Sequence, residues 1–288
     1  MSDGTSTATT GLVLAGGGVA GIAWELGVLQ GLVEADADLG AQVLAADLVV
    51  GTSAGSAVGA QVTSGAPMAD LVAAQLAEEH GELEVEVDFE QLVADLGRAA
   101  AGTGSERERR RAIAAVALAA DTVDEAARRA AVATRLPSTT WSPRLRVTVV
   151  DAATGGLLVL DAAAGVDLVD AVTASCAVPG VWPPATISGR RYVDGGVRSA
   201  SNADLAVGCD RVVVVTPTPA AAPQPFGDLT AEVRTLARAR VHVVHADEAS
   251  VAAYGPNPLS PATRAASLRA GVEVGRTAAP ALRAAWGD

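Results

Sequence analysis

The sequence predicts an α/β fold in which a mostly parallel central sheet is covered by helices on both faces. Three observations lead there. Short apolar runs alternate with longer stretches of helical periodicity. Glycine-rich turns follow the first two of those runs, as strand-to-helix connections require. Runs such as Arg211–Thr216 (RVVVVT) are apolar throughout rather than alternating, which marks strands buried on both faces.

Taken in order, residues 11–15 (GLVLA) read as a short buried strand and Gly16, Gly17 and Gly18 as a turn. A helical stripe of Ile22, Leu26, Leu29 and Val33 follows within residues 19–35. A second strand at 47–50 runs into the turn Gly51–Gly55, and a helix continues to about residue 63. Residues 68–136 are rich in Ala and read as mostly helical, with an acidic stretch (Glu82, Glu84, Glu86, Asp88) and a charged one from Glu106 to Arg111. That segment reads either as an insertion with a solvated charged face or as a helical cap over a site. Strands at 145–151 and 157–160 form a hairpin through the turn Ala153–Gly156. A helix fits 167–176, and Pro179, Pro183 and Pro184 break the chain. A short strand at 191–193 ends at Asp194-Gly195-Gly196. After Arg211–Thr216 come a Pro/Ala-rich loop over 217–225, a helix, a short strand near 241–245 and a final helical region to Trp286. Residues 1–10 are polar and small and read as a disordered tail, and residues 11–288 as one domain, since neither a repeat nor a linker divides them.

Composition narrows the chemistry. Half of the 288 residues are apolar but only 3% are aromatic, so the core must be built from Val, Leu, Ile and Ala. The net charge is −12, which argues against nucleic acid as a partner. All 21 basic residues are Arg, so a Schiff-base or phosphate-loop lysine is excluded. The two cysteines, Cys176 and Cys209, have neither the number nor the spacing of a disulfide framework or a zinc site. With no signal-like N-terminus and no membrane-length apolar run, the expected location is cytoplasmic, with possible peripheral contact at a membrane.

Three glycine-bearing elements carry the functional reading. Gly51-Thr52-Ser53-Ala54-Gly55 fits G-x-S-x-G between a strand and a helix. A nucleophile on so sharp a turn needs nearly side-chain-free positions two before and two after it. Gly16-Gly17-Gly18-Val19-Ala20-Gly21 also follows a strand and opens a helix. It satisfies G-x-G-x-x-G, but the dinucleotide reading expects a carboxylate ending the second strand, where this chain carries the Ser53 turn. The other use of such glycines is to let backbone N–H groups approach a substrate oxyanion. Asp194-Gly195-Gly196 is the third element, on its own an ordinary Asp-Gly turn. The histidines, His80, His242 and His245, are poorly placed for a triad. A single strand before Ser53 disfavours the α/β-hydrolase fold, in which several precede the nucleophile.

In this order the elements resemble the patatin-like phospholipase family, whose pattern is a glycine-rich oxyanion loop, G-x-S-x-G on the next strand, and D-G-G or D-G-A carrying the catalytic aspartate. Ala174-Ser175-Cys176-Ala177-Val178-Pro179 through Trp182-Pro183-Pro184 resembles the family segment before the aspartate strand. The resemblance covers about Gly11 to Thr216. It implies a three-layer α/β/α sandwich with a helical insertion and a Ser–Asp dyad of Ser53 and Asp194. It also implies an oxyanion hole at Gly16, Gly17 and Gly18, with Gly51, Gly55, Gly195 and Gly196 as motif glycines. The implied reaction is hydrolysis of acyl esters, usually of lipids, with no metal or organic cofactor. The family commonly has Arg or Lys where this chain has Ala20, which leaves the backbone donors untouched. The alternative is a non-catalytic domain of the same kind that binds acyl chains or membrane surfaces.

Overall fold

The computed structural model describes residues 8–287. Strand β1 (Thr10–Leu14) leads into helix α1 (Gly18–Ala35), α2 (Ala37–Leu44), β2 (Leu48–Gly51) and α3 (Ala54–Val62). Helices α4 (Met68–Leu76), α5 (Phe89–Ala100), α6 (Glu106–Ala119) and α7 (Glu125–Ala133) occupy the next stretch. Then come β3 (Leu145–Asp151), β4 (Leu157–Leu160), α8 (Leu168–Ser175), β5 (Ala185–Ile187) and β6 (Arg190–Asp194). The chain closes with β7 (Arg211–Thr216), α9 (Leu229–Thr235), β8 (Arg240–His245), α10 (Glu248–Tyr254) and α11 (Arg264–Trp286).

Strands β3, β2, β1, β7 and β8 run parallel in that order, so the centre of the sheet is parallel as the sequence predicts. The antiparallel strands β4, β5 and β6 extend it from β3, with β4 and β6 both pairing β3. Alternate side chains separate the two faces. Leu12, Leu14, Val213 and Val215 join a core with α1, α3, α8 and α11. Val13, Val50, Val212 and Val214 point the other way, onto Ala203, Ala206, Leu229 and Leu236. Farther along the second face, Val150 and Val193 are covered by Leu96 of α5 and Ile113, Ala114 and Ala117 of α6. The result is helix, sheet and helix in three layers.

Helices α1 and α11 pack backbone to backbone. A Cβ on Gly27 would come 2.2 Å from the Leu268 carbonyl oxygen, and one on Gly271 would come 2.2 Å from that of Trp24. Glycine is what permits this approach, and it fixes α1 over the sheet beneath the first glycine turn.

Several expectations need adjustment. Residues 1–7 of the expected tail lie outside the described residues, while Thr10 already begins β1 and the Thr9 N–H donates to Asp210 Oδ2 at 2.8 Å. Residues 77–88 are not helical. Leu83, Val85 and Val87, each flanked by acidic residues, pack instead on Val181, Trp182 and Leu259. The sequence reading also missed α2 and β5. Among the described residues no helix is long and apolar enough to cross a membrane.

Candidate active site

Ser53 stands between β2 and α3 with φ 52° and ψ −117°, a left-handed conformation that a residue with a side chain rarely adopts. Close contacts hold it there. A Cβ on Gly51 would come 2.5 Å from the Gly55 carbonyl oxygen, and one on Gly55 would come 2.1 Å from that of Leu14. The two glycines of G-x-S-x-G are therefore steric requirements of a turn folded back onto β1. The Ser53 N–H donates to Ser175 Oγ at 2.9 Å, while its carbonyl accepts from Ser56 Oγ at 2.6 Å and from Cys176 Sγ at 3.3 Å. Strain at Ser53 is thus offset by hydrogen bonds from α3 and the end of α8.

The glycine loop lies alongside. Gly16 sits against Ser53, where an added Cβ would be 3.4 Å from the Ser53 Cβ. Its N–H, expected as an oxyanion donor, donates to the Ala200 carbonyl at 2.8 Å. Gly18 has φ +67°, and a Cβ there would meet the Pro258 carbonyl oxygen at 2.8 Å. Gly17 and Gly18 open α1, and Ala54 opens α3. Their N–H groups have no protein acceptor among the described residues, as expected for first-turn amides.

Asp194 ends β6, held in register by pairing with Val149 and by its own N–H donating to the Ala177 carbonyl at 3.1 Å. Its Oδ1 accepts from the Gly196 N–H at 2.7 Å, and the Ser53 side chain lies close enough to favour its ionised form. Gly195 fits because a Cβ would strike Thr148 Oγ1 at 2.3 Å. Burial pushes the Asp194 carboxyl up from 3.8 to about 7, against the opposing pull of Ser53, the Gly196 amide and the Arg128 charge. That value lies where a general base works best near neutral pH.

Behind these groups is a buried polar network. Thr52 Oγ1 and Thr148 Oγ1 are 2.8 Å apart, and Asn202 Nδ2 donates to Thr52 Oγ1 at 3.0 Å and to the Ser199 carbonyl at 2.8 Å. It ties the turn after β2 to β3 and to the segment after Asp194. Ser175, Asn202 and Arg128 were not found as site residues by sequence reasoning. Ser175 lies in the segment matched to the family, whereas Asn202 and Arg128 belong to no motif.

A cavity of ≈ 650 Å³ opens beside Ser53 and Asp194. Gly16, Gly17 and Gly18 form its floor with them, while Phe89, Leu92, Val93 and Leu96 of α5 and the Pro217–Phe226 loop form much of its walls. Its size and apolar lining suit an organic ligand with a hydrophobic body. His242 is half-buried in β8, and His245 Nδ1 lies 3.0 Å from the Thr218 carbonyl oxygen. Among the described residues no group of three or more His, Cys, Asp or Glu could hold a metal ion.

Comparison with known proteins adds a family to this geometry. No curated protein sequence matches the chain. Among solved structures, VipD from Legionella pneumophila is similar at TM-score 0.48 and 14% identity, over 95% of this chain and 67% of that one. The type III effector protein ExoU is similar at TM-score 0.38 and 17% identity, over 93% of this chain and 53% of that one. The chain thus spans about two thirds of the length of the first and about half of the second. The family model described as "Patatin-like phospholipase" matches residues 12–207, from β1 through the glycine loop, the Ser53 turn and Asp194. The chain belongs to the patatin-like phospholipase family.

Proposed function

We propose that the protein hydrolyses acyl esters of lipids, with Ser53 as nucleophile and Asp194 as its only base. The observation that carries this reading is the pairing of a strained, buried serine with a desolvated carboxyl. Both face the floor of one apolar cavity. Ser53 Oγ attacks the ester carbonyl carbon and its proton passes to Asp194. The tetrahedral intermediate collapses, the C–O bond to the alcohol breaks, and Asp194 returns the proton to the departing oxygen. Water then attacks the acyl-serine, giving its proton to Asp194; the acyl C–Oγ bond breaks, the fatty acid leaves, and Asp194 returns the proton to Ser53 Oγ.

The negative charge of each intermediate falls to backbone donors. The free N–H groups of Gly17, Gly18 and Ala54 support that assignment, and they lie at the N-termini of α1 and α3, where the helix dipoles favour an anion. Gly16 supplies room rather than a donor. The cavity walls from α5 and the 217–226 loop take the acyl chain, and transient contact with a lipid surface would deliver it.

Hydrolysis of p-nitrophenyl butyrate and of a diacyl glycerophospholipid tests the reading. The wild type is expected to cleave both, and Ser53→Ala to lose at least about 10³-fold in kcat/KM, as removal of a catalytic nucleophile does. A folded wild type with no activity on either ester would replace this reading with a non-catalytic acyl-binding role.

A further inference from the structure

A second and much smaller void meets the cavity at Ser53. Its free volume is ≈ 10 Å³, room for about one water molecule or one substrate oxygen. Gly18, Ser53 and Ala54 line one side and Arg128 of α7 lines another. Arg128 is only 2% exposed, and its Nε and Nη1 have no hydrogen-bond partner. The guanidinium carbon lies over the Trp182 ring, 3.8 Å from its centroid, a contact that holds the charge without using its donors.

Among the described residues no neighbouring carboxylate is hydrogen-bonded to Arg128 Nε or Nη1. Glu82 is bound by both arms of Arg135, at 2.7 Å from Nε and 2.6 Å from Nη2. Glu82 and Asp194 act on Arg128 only through space, and neither accepts from its Nε or Nη1. Burial of this charge is unfavourable enough to bring Arg128 down to about 9. A cation held out of water with idle donors is costly to the fold and gains a purpose only when an anion reaches it.

Resting on the hydrolase reading above, we infer that Arg128 forms a subsite for an anionic oxygen of the substrate directly beside Ser53. Two sources present such an oxygen. One is the scissile carbonyl as it becomes an oxyanion between Gly18 and Ala54. The other is a phosphate oxygen of the lipid head group, already charged in the ground state. The first would lower kcat on any ester when Arg128 is removed. The second would raise KM selectively on phosphate-bearing esters.

Arg128→Met and Arg128→Lys separate these, each assayed on a neutral monoacylglycerol and on the lysophospholipid of the same chain length. The Met variant keeps the apolar stem over Trp182 and removes the unpaired charge. It is expected to melt no lower than wild type while losing at least about tenfold in kcat/KM, the size of a lost charge-assisted hydrogen bond. Part of that loss should return in the Lys variant. An equal fall in kcat on both substrates that persists at pH 9, where Asp194 is ionised with or without Arg128, identifies the oxyanion. A rise in KM confined to the lysophospholipid identifies the head group. Less than a twofold change on both substrates overturns the inference, as does a loss of activity matched by a lower melting temperature in both variants. Wild-type turnover that Ser53→Ala abolishes shows that the hydrolase reading stands when this one falls.

Discussion

Replacing Asp194 by Asn should make the protein more stable and nearly inactive, and both effects follow from one displaced pKa. The Asp194 carboxyl is 4% exposed and titrates near 7 instead of 3.8. Below about pH 4 the folded and unfolded chains both carry the neutral acid, and the group costs nothing. As pH rises from about 4 to about 7, the unfolded chain gives up its proton first and the fold loses stability. Above about pH 7 the loss is complete, about 4 kcal/mol at about 1.4 kcal/mol per pH unit. Asn has the same shape and can still accept from the Gly196 N–H, but it never ionises. Urea unfolding should therefore show Asp194→Asn matching wild type near pH 4 and exceeding it at pH 8 by up to about 4 kcal/mol. Activity moves the other way. Wild-type kcat/KM on p-nitrophenyl butyrate should climb about tenfold per pH unit below 7 and level off above it, while the Asn variant should be flat with pH and about 10²–10⁴-fold lower at pH 8. A flat wild-type profile between pH 5.5 and 8.5, or an Asn variant less stable at pH 8, would refute the assignment of Asp194 as the buried base.

Further expectations concern the surroundings of the dyad. Val93→Phe narrows a cavity wall formed by α5. It should depress kcat/KM for long-chain p-nitrophenyl esters at least about tenfold relative to the acetyl ester, since one methylene in an apolar pocket is worth about 1–3 kcal/mol. Gly55→Ala would drive a Cβ to 2.1 Å from the Leu14 carbonyl oxygen. Urea denaturation should show a loss of about 3 kcal/mol, the upper range of overpacking, together with loss of esterase activity. Arg135→Met leaves Glu82 buried without its partner, where the two side chains are 6% and 9% exposed. A destabilisation of about 3–5 kcal/mol is expected at pH 7, shrinking as pH falls and Glu82 protonates. Unchanged stability would show that the pair is not desolvated.

The parts of this molecule that could be read from sequence were those governed by local sterics. G-x-S-x-G and G-G-G are legible because turns this tight exclude side chains, and the close contacts at Gly51, Gly55 and Gly18 are of that kind. The parallel strands β1, β2 and β7 were legible because strands buried on both faces are apolar throughout. Residues 82–88 were misread as helix because Ala-rich neighbours dominated the reading. Yet Glu82-Leu83-Glu84-Val85-Glu86-Val87-Asp88 alternates with period two, and its apolar members do face one cluster. Strand β5 was missed because it is only three residues long, although Ser188 and Gly189, with φ 49° and 76°, form the tight turn that announces its hairpin with β6. Arg128 was out of reach altogether. In sequence it is one Arg in an amphipathic Ala/Arg helix, and only the fold lays it over Trp182 and beside Ser53. The occupied Gly16 amide was equally hidden, since its acceptor, Ala200, lies far along the chain.

The most direct test of the central claim is covalent capture of the nucleophile. Wild-type protein treated with a fluorophosphonate should gain one adduct by intact mass, and peptide mapping should place it on Ser53. Ser53→Ala should gain none, and Asp194→Asn should react far more slowly at pH 8. Labelling at another serine, or undiminished ester hydrolysis by Ser53→Ala, would contradict the account.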